Sequence, residues 1–113
     1  MQNVTRTSPL FSPHVNVGIT SASSGSNAVV AAVTGCAYRV LAVVAVSTIA
    51  NSIKFMSNST DITATFPLGA NGGLVLPFNE HGWCETASGE ALNVNFSAAT
   101  STGVQVHYIK ILK

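Results

Sequence analysis

The chain has 113 residues, of which 47% are hydrophobic and only 8% carry a formal charge, and its net charge is +1. Global disorder is excluded, because disordered chains combine low hydrophobicity with high net charge. Five scattered Lys and Arg residues form no basic patch, so we expect no nucleic-acid partner. The length fits one domain, and a surface so poor in charge is expected to be covered by other protein, most simply by further copies of the chain.

The chain begins with a predicted irregular arm over residues 1–13, because Pro9 and Pro13 lack backbone donors and lie among Ser and Thr. Residues 14–113 are predicted to form a single β-sandwich domain. Polar and apolar residues alternate from His14 to Ile19, which predicts a first strand. The segment Ser21–Asn27 is rich in Ser and Gly and is predicted to be a turn.

The apolar stretch from Ala28 to Ala50 is long enough to cross a bilayer if it were helical. Arg39 at its centre would cost about 2.5–3.5 kcal/mol in a membrane, and Thr34-Gly35 interrupts the run. We therefore expect no membrane span and interpret the stretch as two strands, the second running from Tyr38 to Ile49.

The predicted strand Tyr38–Ile49 is mostly apolar on both faces. With the strand period of two, Tyr38, Val40, Val44 and Val46 point one way, and Leu41 and Val43 point the other. A strand of this kind is expected to be buried on both sides, with one face in the core and the other against another subunit. The candidate oligomer interface therefore consists of Tyr38, Val40, Leu41, Val43, Val44 and Val46.

The rest of the chain continues as short strands separated by turn residues. The predicted strands are Ile53–Met56, Ile62–Phe66, Leu74–Phe78, Trp83–Thr86, Ala91–Phe96 and Val104–Leu112. Eight or nine short strands, with no convincing helix, predict an all-β fold. The expected architecture is an antiparallel β-sandwich, jelly-roll-like or simpler.

Few residues offer chemistry. Asp61 is the only aspartate, and the two cysteines, Cys36 and Cys84, form no metal-binding pair, so we expect no catalytic residue, no metal and no cofactor. The cysteines are predicted to be small buried thiols of a protein made in a reducing cytoplasm. The chain is not expected to be an enzyme; a nucleophilic Cys84 activated by a histidine is the alternative.

One loop offers an alternative ligand site. Trp83 is flanked by carboxylates, an arrangement typical of carbohydrate sites, and a histidine is nearby. The candidate residues are Glu80, His81, Trp83 and Glu85. The competing interpretation places Trp83 at the edge of the core, with Gly82 forming the turn and His81 in solvent.

Several short segments carry a resemblance to a known class of protein. They are Lys54–Ser57, Asp61–Thr63, Phe66–Leu68, Ala70–Gly73, Leu76–Asn79, Gly82-Trp83 and Gly89–Val94. Through them, the stretch from Phe55 to Tyr108 resembles small virion structural proteins of tailed bacteriophages and prophages, although Cys84 stands where a further aromatic is expected.

The resemblance implies a β-sandwich that decorates or cements a phage head as a homo-oligomer, commonly a trimer. Its partners would be further copies of itself and the major capsid protein, and its location would be the capsid surface of the virion. A component of a head or tail fibre is a close variant of the same expectation.

Overall fold

The computed structural model describes residues 14–20, 24–98 and 102–112; the predicted arm of residues 1–13 lies outside them. This part of the chain forms ten β-strands and no helix. The strands are β1 (His14–Thr20), β2 (Gly25–Val30), β3 (Cys36–Ser47), β4 (Asn51–Ser57), β5 (Thr60–Asp61), β6 (Phe66–Leu68), β7 (Gly72–Leu76), β8 (Cys84–Glu85), β9 (Leu92–Phe96) and β10 (Thr102–Leu112).

The strands form two antiparallel sheets. The first sheet has the order β1-β10-β3-β7, with β8 continuing beside β3, and the second has the order β2-β9-β4-β5, with β6 also beside β4. The longer strands follow the jelly-roll arrangement of two facing sheets, 1-10-3-7 and 2-9-4-6. The prediction of an all-β antiparallel sandwich is confirmed.

The strand count exceeds the prediction because β5 is an additional ladder of only two residues. The predicted strand Trp83–Thr86 is present but shortened to the two residues of β8. The predicted strand Ile62–Phe66 is also displaced, since β6 begins at Phe66 and includes Pro67. The exposed Pro67 is tolerated there because β6 pairs only with β4 and lies at an edge of its sheet. The stretch predicted as two strands forms β2 and β3, and the described residues include no helix that is long and apolar enough to cross a bilayer.

The core lies between the sheets and follows the strand period of two. Inward-facing side chains come from both sheets: Val43, Ala45, Val104 and Val106 from the first, and Ile53, Phe55, Leu92, Val94 and Phe96 from the second. Each such fully buried aliphatic or aromatic side chain stabilises the fold by about 1.5–3 kcal/mol. Residues alternating with them, including Lys54, Asn93 and Asn95, face outward from the second sheet.

A β-bulge at Leu41 interrupts this alternation in β3. Ala42 pairs with His107 and Val40 pairs with Tyr108, so Leu41 is an extra residue with no partner in the register. A bulge places two consecutive side chains on one side of the sheet. Here Leu41 points away from the main core and packs with Ile109 and Ile111 in a second buried cluster.

The bulge corrects the predicted faces of this strand. Tyr38 and Val40 face the core before it, and Val43 faces the core after it, whereas Val44 and Val46 point out. The prediction that Tyr38, Val40, Val44 and Val46 share one face was therefore wrong, because one inserted residue reverses the alternation.

A buried polar network closes one end of the sandwich around Asn51. Its Nδ2 donates to Thr102 Oγ1 (2.7 Å) and to the Ala98 carbonyl (3.2 Å). Its Oδ1 accepts from Ser97 Oγ (2.8 Å) and from the Ala98 backbone N–H (2.9 Å). The hydroxyls of Ser47 and Thr102 lie 2.8 Å apart within the same group. Every polar atom of the Asn51 side chain is satisfied, so this amide can be buried without the usual desolvation penalty.

Candidate interaction surface

The outer faces of the two sheets differ in polarity. On the first sheet, Val44, Val46 and Val75 are 47%, 56% and 64% exposed. Val44 and Val75 are direct register partners across β3 and β7, and Val46 follows two residues along β3 on the same face. These three side chains are called the valine ridge below. The outer face of the second sheet instead carries polar residues: Ser52, Lys54, Asn93 and Asn95.

A hollow of about 350 Å³ lies beside the valine ridge and is called the glycine hollow. Its lining comes from β1, β3 and β10: Gly18, Ile19, Thr20, Val44, Val46, Gly103, Val104 and Gln105. A Cβ added at Gly18 would lie 2.7 Å from Gln105 Oε1, the far end of a flexible side chain. No residue of the valine ridge or the glycine hollow is charged, so this part of the surface can be dried without burying an ion.

The predicted oligomer interface divides between the core and this surface. Tyr38, Val40, Leu41 and Val43 are buried within their own chain, so their assignment to a contact between subunits is corrected. Val44 and Val46 remain available to a partner. Val75 is not among the predicted interface residues, because no polar alternation within the uniformly apolar run from Leu74 to Leu76 marks which side faces out.

The alternative ligand residues lie on the segment from Pro77 to Glu85 at the edge of the first sheet. Trp83 is 42% exposed and its indole N–H donates to the Pro77 carbonyl at 2.7 Å. Glu80 and His81 are exposed, and the His81 backbone N–H donates to Asn79 Oδ1. Trp83 is therefore a surface residue whose indole joins the two ends of the loop. The competing prediction, which placed Trp83 at the edge of the core, was wrong.

The fourth of these residues, Glu85, is held by an ion pair. Arg39 Nε donates to Glu85 Oε1 at 2.9 Å, between two residues that are paired across β3 and β8. The turn before it depends on Gly82, which has a φ of +84° and whose added Cβ would lie 2.4 Å from Arg39 Cγ. Only glycine fits there, as the turn interpretation expected. The carboxylate of Glu85 is thus directed to Arg39, and the four candidates do not form one convergent site.

The cysteines show no sign of activation. Burial raises the pKa of the Cys84 thiol to about 12, so it stays protonated at neutral pH, and a thiol in that state is a poor nucleophile. Cys84 pairs with Val40, four positions along β3 from Cys36, which is about 13 Å at the usual strand rise. The two thiols are free and too far apart to bridge within one chain. Within the described ranges, no three His, Cys, Asp or Glu residues are grouped as a metal site.

Comparison with known proteins finds likeness in structure and not in sequence. No protein-family model matches the chain, and no curated protein matches it. A protein of Bacillus endospore appendages, described as disulfide-linked pili, is 14% identical with a TM-score of 0.48, over 88% of this chain and 85% of the other. A chain of the virus-like particle of the extra small virus of the prawn Macrobrachium rosenbergii is 11% identical with a TM-score of 0.46, over 97% and 85%.

The sugar-binding C-terminal domain of EclA is also similar, with 16% identity and a TM-score of 0.40 over 99% of this chain and 83% of the other. These similar structures therefore come from a pilus, a viral particle and a sugar-binding domain. Likeness at this level does not indicate which role this chain has, so its function has to be argued from its own surface.

Proposed function

We propose that this protein is a structural β-sandwich that self-associates through the valine ridge and glycine hollow of its first sheet. The observation that carries the proposal is the cluster of exposed valines on the outer face of the first sheet. The first sheet exposes Val44, Val46 and Val75 with no charged residue among them, whereas the second sheet exposes Asn, Ser and Lys. A cluster of exposed apolar side chains on one face is the mark of an interaction surface.

A second copy of the chain is the occupant best supported by this surface. Val44 and Val46 of the valine ridge also line the glycine hollow, so exposed valines and an uncharged depression form one continuous surface on each copy. Contacts between copies give a symmetric pair when both copies use the same patch, and a ring or an open filament when the contact is head-to-tail. The low charge of the whole chain removes the repulsion that keeps most soluble monomers apart.

The finer proposal is that the oligomer is a trimer that decorates the head of a tailed bacteriophage. It is supported by the resemblance of the stretch from Phe55 to Tyr108 to small phage virion proteins and by the uncharged β-sandwich. In this role the major capsid protein is the second partner, the capsid surface is the location, and no catalysis is required. A protein that binds the assembled lattice, and not its loose subunits, shifts the equilibrium toward the intact shell.

Sedimentation of the full chain and two matched lysine variants tests self-association. Val46→Lys places a charge on the valine ridge, whereas Ala28→Lys places the same charge on an exposed alanine of β2 in the second sheet. We expect the wild type and Ala28→Lys to sediment as oligomers, with ~35 kDa for a trimer of the 11.6 kDa chain, and Val46→Lys to sediment as a monomer. A wild-type monomer at high concentration, or equal behaviour of the two variants, would overturn the proposal.

Binding to phage heads tests the finer proposal separately. Purified oligomer is mixed with assembled heads or with unassembled major capsid protein, and the pelleted material is analysed. We expect saturable binding to heads and none to unassembled subunits. An oligomer that binds neither would remove the role in the capsid while leaving self-association intact.

Glycan binding is the second candidate, because Trp83 and Phe78 are 42% and 56% exposed at opposite ends of the loop 77–83. Exposed aromatic rings can stack on sugar rings. Titration of the intrinsic fluorescence of Trp83, the only tryptophan, against a glycan panel tests this directly. A saturable shift that is lost in Glu80→Ala would favour it, and an unchanged spectrum across the panel would eliminate it.

A further inference from the structure

Two histidines meet on the outer face of the first sheet. His14 begins β1, and His107 lies on the neighbouring strand β10, displaced by two positions in the register. His14 Nδ1 and His107 Nε2 lie 2.8 Å apart, with the ring planes at 70° and the ring centroids 4.9 Å apart. An N–H of one ring that donates to the facing nitrogen of the other accounts for this contact. In the tautomers that carry their protons on His14 Nε2 and His107 Nδ1, each of the two facing nitrogens has a free lone pair.

We propose that His14 and His107 bind a divalent first-row transition ion, with Cu²⁺ preferred over Ni²⁺ and Zn²⁺. The two nitrogens are 2.8 Å apart. At an ion about 2.0–2.1 Å from both of them, the N–metal–N angle would therefore be about 85–90°. That is the angle between adjacent ligands in the tetragonal sites of Cu²⁺ and Ni²⁺, whereas the tetrahedral sites of Zn²⁺ need a wider one. The order of intrinsic affinities also places Cu²⁺ above both other ions.

The surroundings of the pair leave room for the remaining ligands. Asn16 is the direct register partner of His107 on the same face. A hollow of about 110 Å³ adjoins them and is lined in part by Asn16, Gln105 and His107. Amide oxygens and water can therefore complete the coordination from this hollow, as oxygen ligands do in mixed nitrogen and oxygen copper sites.

The two rings also pack against an aromatic side chain. Phe78 stacks on His14 with ring centroids 6.2 Å apart and contacts His107 at 5.8 Å. Burial lowers the pKa of His107, and the charge interaction with His14 lowers it further.

Calorimetric titration of the tag-free full chain with CuCl₂, NiCl₂ and ZnCl₂ at pH 7.5 tests the proposal. We expect one Cu²⁺ per chain, weaker Ni²⁺ binding, and at least a tenfold loss of Cu²⁺ affinity in His14→Ala and in His107→Ala. His81→Ala is the matched control, because His81 is an exposed histidine outside the pair, and it should bind Cu²⁺ as the wild type does. Electron paramagnetic resonance of the copper complex should show two equatorial imidazole nitrogens.

Each result decides the inference. Absence of stoichiometric binding, or an equal loss of affinity in His81→Ala, would show that the two histidines only share a proton. Should either alanine variant melt at a lower temperature than the wild type, His14→Gln and His107→Gln repeat the titration with the polar character of the strand retained. The site lies within one chain, so the Val46→Lys variant should bind Cu²⁺ normally whether or not self-association is confirmed.

Discussion

Val44 and Val75 are direct register partners across the inner strand β3 and the edge strand β7, and both are about half exposed or more. If self-association covers them, each valine contributes about 1 kcal/mol, less than the value of about 1.5–3 kcal/mol for full burial, because each is already partly buried. We therefore expect the double variant Val44→Thr, Val75→Thr to lower the association constant about 30-fold for each contact that covers one copy of both valines. This corresponds to about 2 kcal/mol. Sedimentation equilibrium measures the change.

The threonines keep the β-branched shape that strands favour, so the fold should be retained. Circular dichroism and a thermal melt of dilute monomer check this. Unchanged self-association in the double variant would place the contact elsewhere on the molecule and remove the valine ridge from it.

Adjacent residues of β3 are expected to respond to the same substitution in opposite ways. Val43 is 1% exposed and packs in the core, whereas Val44 points out. Val43→Asp should unfold the chain, because an unpaired carboxylate in the core costs several kcal/mol. Val44→Asp should leave the melting temperature of the monomer nearly unchanged and abolish self-association. Thermal melts of both variants measure the difference. If both variants stay folded, the assignment of Val43 to the core is wrong.

The positions of most strands could be predicted from the sequence, but which side chains of a strand point into the core could not. The alternation and the turn residues indicated a β-sandwich and placed β1, β4, β9 and β10 close to their observed positions. In β3 almost every residue is apolar, so the pattern carries no sign of which side chains point inward. The extra residue at Leu41 then reverses the alternation, and a bulge of this kind is fixed by pairing with β10, far away in the sequence.

The histidine pair could not be predicted from the sequence, for a similar reason. His14 and His107 are 93 positions apart, and only the pairing of β1 with β10 brings them together. Spacing rules detect metal ligands that lie close in sequence. Residues joined by a long-range ladder give no such local signal, and the same holds for the Asn51 network.

Asn51 is expected to be the most sensitive polar residue of the fold. It makes four hydrogen bonds that join the start of β4 to Ala98, Ser97 and Thr102. Asn51→Ala would leave buried partners unsatisfied, so we expect the free energy of unfolding to fall by about 2–4 kcal/mol. Chemical denaturation measures this loss.

Asn95→Ala is the control for Asn51→Ala, since Asn95 lies mid-strand on the outer face of the second sheet. It should change the free energy of unfolding by no more than about 0.5 kcal/mol. Equal effects of the two alanines would mean that the network at the end of the sandwich adds nothing to stability beyond an ordinary surface amide.

Cys84 is expected to make the protein lose stability at alkaline pH. Burial raises the pKa of its thiol to about 12 in the folded chain, from an ordinary value of 9.0. The stabilisation is complete below pH 9 and is lost as pH rises toward 12, because the unfolded chain releases the proton first. The slope between those values should reach about 1.4 kcal/mol per pH unit.

The comparison of wild type with Cys84→Ala isolates this effect, since Tyr38, whose pKa is also raised chiefly by burial, is present in both chains. The difference in unfolding free energy between the two should change between pH 9 and 12 and be constant between pH 6 and 8. At pH 8 the folded wild type should react with Ellman's reagent about 10³-fold or more slowly than an ordinary thiol, because so little thiolate is present. Rapid labelling of native protein at Cys84, located by peptide mapping, would show that the thiol is accessible and activated.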